Sequence, residues 1–154
     1  MKWITTLLLL LWSASAWAAG PIHIDSEKMR MDPKSNEVIF SGGVHLTRDD
    51  FDLRCDELTI LYEGHALQRA YATGRVRMAQ GEKRGASDTA LFEKKKNTVT
   101  LVGHASVEDA QGVVRGDTII HNITTQKSEV LQKKGERVHL TIDSDASATG
   151  VKKP

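Results

Sequence analysis

Cysteine is nearly absent from this sequence: Cys55 stands alone among 154 residues. One thiol excludes an intramolecular disulfide framework and a multi-cysteine zinc site. Set in a strand-like stretch, it reads as a small buried hydrophobe. Tryptophan is missing after position 17, since Trp3, Trp12 and Trp17 are the only three. Charge of one sign is missing too: 21 Lys and Arg against 20 Asp and Glu leave a formal +1. That balance argues against a nucleic-acid module, whose binding face carries an excess of bases. No apolar run reaches the roughly 20 residues that span a bilayer. The length suits one domain with a continuous core.

The tryptophans mark a segment of a different kind. Lys2, an apolar run from Ile4 to Trp12 and small residues from Ser13 to Gly20 make the pattern of a cleavable secretory signal. Ala16-Trp17-Ala18 fits the small-x-small rule and places cleavage after Ala18. The expected organisation is a signal peptide over residues 1–18, one domain over 19–142, and a polar tail over 143–154 that frays. Removing the signal takes away one lysine and leaves basic and acidic side chains equal in number.

The body repeats itself. Gly42-Gly43-Val44-His45-Leu46 leads to Cys55-Asp56-Glu57-Leu58. Gly74-Arg75-Val76 leads to Ser87-Asp88-Thr89-Ala90, and Gly103-His104-Ala105 leads to Gly116-Asp117-Thr118-Ile119. Glycine and aspartate are 14 residues apart each time. Ile22-His23-Ile24-Asp25-Ser26-Glu27 forms a fourth half-unit, with Asp25 aligned to the repeated aspartates.

Within each unit apolar residues alternate, as in Val38, Phe40, Val44 and Leu46, or Leu58, Ile60 and Tyr62. Period two means half-buried strands with one face inward. Turn chemistry separates them at Pro33–Asn36, Arg48–Asp50, Gln80–Glu82, Lys95–Asn97 and Asp109–Gly112. Val130-Leu131 and Val138–Ile142 read as two last strands turning at Lys133–Glu136. Glycine inside a strand marks a bulge or a close backbone approach. The Gly and Asp positions are therefore expected to be corners where strands bend between two faces. Three copies of one carboxylate suit a corner better than a catalytic centre.

Motifs for catalysis are missing: there is no phosphate loop, nucleophile elbow, His-Glu-x-x-His or dinucleotide fingerprint. The six histidines are scattered, and no metal or cofactor site is expected. Arg115-Gly116-Asp117 belongs to a corner, and Lys94-Lys95-Lys96 reads as a solvated hairpin tip. What remains is a continuous apolar inner face. It suits shelter of acyl chains, each CH₂ being worth about 0.8 kcal/mol, and it equally suits two sheets closed on a dry core.

Pro21-Ile22-His23-Ile24-Asp25-Ser26-Glu27 after a signal, Asn36-Glu37-Val38-Ile39-Phe40-Ser41-Gly42-Gly43-Val44 and Gly116-Asp117-Thr118-Ile119 together resemble the OstA-like lipopolysaccharide-transport periplasmic protein family. The resemblance covers about Pro21 to Ile142 and implies an all-β, open, twisted antiparallel jelly roll. It also implies a non-catalytic periplasmic carrier of lipopolysaccharide, with no cofactor, between an inner-membrane export complex and an outer-membrane translocon. Members associate head to tail by strand addition. Acyl chains would then lie against Ile22, Val38, Phe40, Val44, Leu58, Ile60, Val76, Phe92 and Leu101. Two alternatives from the residues themselves stay beside this one: a structural β-repeat module with a closed core, and an envelope polysaccharide hydrolase using paired carboxylates.

Overall fold

Strand formers between turn residues produce ten strands and, among the described residues, no helix. A computed structural model describes residues 20–125 and 127–142. The expected signal peptide (1–18) and polar tail (143–154) lie outside the described residues. The strands are β1 (His23–Asp25), β2 (Lys28–Asp32), β3 (Glu37–Arg48), β4 (Phe51–Glu63), β5 (Ala66–Gln80), β6 (Lys83–Glu93), β7 (Thr98–Asp109), β8 (Gly112–Asn122), β9 (Ser128–Leu131) and β10 (His139–Ile142). All pairings are antiparallel, and β3 to β8 pair in sequence order. Their turns use residues that tolerate a left-handed backbone: Asn36, Asp49, Gly64, Gly81 and Asn97 all have φ between 52° and 62°. The turn at Gly64 joins β4 and β5 without the Pro, Asn or Asp that marks most of the other turns in the sequence.

Each long strand breaks in the middle. Gly42-Gly43 oppose Asp56, Gly74-Arg75 oppose Asp88, and Gly103-His104 oppose Asp117, two residues against one. These are bulges, and both residues of each pair have positive φ, from 48° to 84°. The bulges align across the sheet and fold it into two facing half-sheets. Sheet I holds β2, the first halves of β3, β5 and β7, the second halves of β4, β6 and β8, and β9. Sheet II holds β1, the complementary halves, and β10. The result is an open, twisted antiparallel β-jelly roll. The spacing of 14 is the length of a hairpin: from Gly74 up to the turn at Gly81 and back down to Asp88.

Two details differ from the sequence reading. Glu27, not Asp25, occupies the first corner: its N–H donates to the Gly42 carbonyl at 3.2 Å, while Asp25 sits within β1 opposite His45. In addition, β9 and β10 do not pair with each other. Both pair with β8, β9 on sheet I and β10 on sheet II, mirroring β2 and β1 on β3. The chain crosses between half-sheets at each end because a single half-strand has one free edge to offer on each.

Candidate functional site

The space between the half-sheets is lined by rows that the registers define. Nearest the corner on sheet I runs Met29, Phe40, Leu58, Ala72, Ala90, Leu101, Ile119, Val130. Farther out on the same sheet runs Met31, Val38, Ile60, Ala70, Phe92, Val99, His121, Ser128. Sheet II answers with Ile24, Leu46, Leu53, Met78, Gly85, Val107, Val114, Leu140. Opposite residues in a pair point to the same face, so apolar positions two apart merge into continuous stripes.

The nine residues read from the sequence divide into three groups. Val44, Leu58, Ile60 and Val76 are 0–2% exposed, and Leu101 and Val38 are also buried. Phe40 and Phe92 are half-buried, and Phe40 packs against that core. Ile22 precedes β1 and is exposed. The central strands therefore close on a packed core, and the stripes open at their ends. Sheet II's row runs from Leu53, 8% exposed, to Leu140, 60% exposed. Met29 and Met31 on β2 and Ile142 on β10 carry the apolar faces out to the free edges. The sequence assignment of the lining did not include Leu53, Met78, Ile119, Met29, Met31 or Leu140. Leu140 and Ile142 keep the period-two signal that could have placed them.

Polar groups frame this face. Asp56 accepts from Arg75 at 2.7 Å, keeping the guanidinium charged and pushing its pKa upward. Asp88 meets His104 at 2.9 Å, and Asp117 meets Lys133 at 3.4 Å. Asp56 and Asp117 thus each have a cation beside them, and Asp88 an imidazole. His121, on the inner row, bonds to Ser128 at 2.9 Å; burial and then the nearby Lys83 charge push its pKa down. Burial, with Asp56 and Glu57 nearby, pushes the Cys55 thiol up to about 11. Surface recesses of about 640 and 240 Å³ lie at the rims, lined by residues such as Asp50, Lys83 and Asp109 or Arg69, Glu93 and Lys96. Their lining residues are almost all polar or charged and lie outside the apolar rows. At the second rim Lys96 meets Glu93 at 2.8 Å, which lowers the Glu93 pKa. Among the described residues no three His, Cys, Asp or Glu side chains are grouped to hold a metal ion.

A family model described as "LptA/(LptD N-terminal domain) LPS transport protein" matches residues 23–127. The chain belongs to this family. Among curated relatives, the lipopolysaccharide export system protein LptA of Escherichia coli K12 is 26% identical over 126 residues, covering 77% of this chain and 68% of that protein. LptA of Shigella flexneri gives the same figures. Among solved structures, LptH of Pseudomonas aeruginosa, titled the LptA-homologous periplasmic component of a lipopolysaccharide transport device, superposes with a TM-score of 0.73. Identity there is 17%, over 80% of this chain and 96% of that one, so the likeness carries the fold. Among the described residues no helix is long and apolar enough to cross a membrane.

Proposed function

We propose that the protein is a periplasmic carrier of lipopolysaccharide, exported by a signal peptide cleaved after Ala18. It bridges an inner-membrane export complex and an outer-membrane translocon, and it acts by binding and handover without catalysis. The observation that carries this reading is the apolar inner face, which continues past the packed core to exposed Met29, Met31, Leu140 and Ile142. Acyl chains lie along the half-buried part of the stripes, at Phe40 and Phe92, with Val38 and Leu101 beneath. Ile22 extends the lining at the β1 end. Val44, Leu58, Ile60 and Val76 form the floor that the chains rest on, and they meet lipid only if the half-sheets part. Head-to-tail association adds one copy's edge pair, β9 and β10, to another's β1 and β2, whose outer edges carry no strand among the described residues.

The decisive experiment is photo-crosslinking to lipopolysaccharide from a benzophenone side chain at position 40 or 92. Labelling at these positions, and none from position 71 on the outer face, supports the carrier. A folded protein that labels no lipid from either position overturns it and leaves the closed structural module, which the burial of Leu58 and Ile60 favours. Assembly is read separately: mean mass should rise with concentration, and a strict monomer at high concentration counts against edge-to-edge association.

A further inference from the structure

Sheet II's inner row has one position without a side chain. Gly85, in the central strand β6, stands between Met78 of β5 and Val107 of β7. Its backbone does not ask for glycine: Gly42, Gly74 and Gly103 have positive φ, and Gly85 does not. Glycine weakens a strand interior, so its presence here points to space. Strands lie about 4.8 Å apart, and the missing side chain leaves a slot one side chain wide between its neighbours.

Met78 fills that slot. A Cβ on Gly85 would lie 2.8 Å from Met78 Cγ and 3.3 Å from its Sδ, and Leu101 Cδ1 of sheet I roofs the space at 3.5 Å. Methionine is unbranched, with three rotatable bonds, so the occupant already has the shape of a short alkyl segment. Met78 is only half-buried, and beyond Gly85 the row continues through Val107 and Val114 to exposed Leu140. A chain arriving from that side passes Leu140, Val114 and Val107 and then meets the slot. Gly116 makes the contrast: the space over it is taken by Val130 and the Leu131 carbonyl, a stiff side chain and backbone that cannot withdraw.

We propose that the slot over Gly85 is a subsite for the end of an acyl chain, which Met78 plugs in the empty protein and vacates when a chain enters. This rests on the lipid-carrier reading. The test uses the full chain with ¹³C-methyl methionine, titrated with lipid A and with a lipid A analogue carrying shortened acyl chains. The Met78 methyl resonance should move with full-length lipid A and stay with the short analogue. Gly85→Ala should weaken full-length lipid A about tenfold, the share of roughly two buried methylenes, and leave the short analogue unchanged. Met78→Ile, which replaces the flexible plug with a stiff one, should give the same selective loss and serves if Gly85→Ala does not fold. Wild-type binding with an unmoved Met78 methyl, or variants that bind both lipids as wild type does, overturns the plug while the carrier stands. Wild-type protein that binds neither lipid overturns the carrier and the plug together.

Discussion

Beside the corners and at the open ends of the two half-sheets, the same alternation of side chains has opposite outcomes. Leu58 in β4 and Leu140 in β10 both lie on inner apolar rows, yet one is 0% and the other 60% exposed. The difference is neighbours. Leu58 has paired strands on both sides and sheet II opposite, while Leu140 lies on an edge strand that, among the described residues, has a partner on one side only. A hydrophobic side chain at a strand position thus specifies a face, and the place of its strand in the sheet decides whether that face becomes core or exposed apolar surface. The closed part supplies rigidity, and the open part supplies apolar area that water still reaches.

Substitutions can break this comparison. Leu58→Ala should cost about 2–5 kcal/mol, as buried large-to-small changes do, whereas Leu140→Ala should stay within about 0.5 kcal/mol; thermal melts of the two variants check both. Equal losses would mean that the ends are packed in solution. Next in size is the reactivity of Cys55. With its thiol pushed up to about 11, roughly one molecule in a thousand carries the thiolate at pH 8. Labelling by a thiol reagent should therefore run at least about 100-fold slower in the folded protein than in urea. Lipid that only wets the open ends will leave that rate unchanged, and lipid that parts the half-sheets will raise it.

The corners separate two kinds of glycine. A Cβ at Gly74 would come within 2.7 Å of Asp56 Cβ and Cγ at φ +77°, whereas Gly43, at φ +71°, has nothing within 4 Å. Gly43→Ala meets the conformational cost alone, about 1–2 kcal/mol, and Gly74→Ala should exceed it by at least about 1 kcal/mol through the clash. Denaturant midpoints decide the order. The smallest effect lies on the outer face of sheet II, where Asp52 accepts from His45 at 2.5 Å and from Arg54 at 3.4 Å. The His45 hydrogen bond, more than Arg54, lowers the Asp52 pKa. A depressed carboxyl stabilises the fold above its unfolded value of about 4 and loses that contribution as pH falls below it. Being half-exposed, the pair is worth under about 1 kcal/mol. Asp52→Asn should lower stability by under about 1 kcal/mol above about pH 4 and leave it unchanged at lower pH, flattening the acid side of the stability–pH curve.

Much of this architecture is legible in residues. The pairing of Gly74 with Asp88, 14 positions on, encodes both the hairpin and the bulge. The alternation of Val38, Phe40, Val44 and Leu46 carries across the corner because two inserted residues preserve parity. Other features are not local. Glu27 takes the first corner because a short edge strand shifts the frame by two, and Asp25 gives no sign of that. The separation of β9 from β10 follows from which edges of β8 are vacant, a property of the assembled sheet. Burial at Leu58 and exposure at Met29 come from equal patterns, so the sequence names the candidate lining without saying which residues stay open. The slot over Gly85 is invisible too, since a strand glycine reads like those at the corners until its φ and its neighbour's side chain are known.

The order of the strands has one further consequence. From β4 to β7 every strand pairs only with its neighbours in sequence, so contact order is low for an all-β chain. Such wiring favours quick folding and lets structure spread from any hairpin to the next, as in solenoids. Each hairpin with its bulge and its aspartate is a complete step of the trough. A chain that gained or lost one step would keep its two ends and its interior chemistry while changing only its reach, which makes span a quantity that duplication can tune.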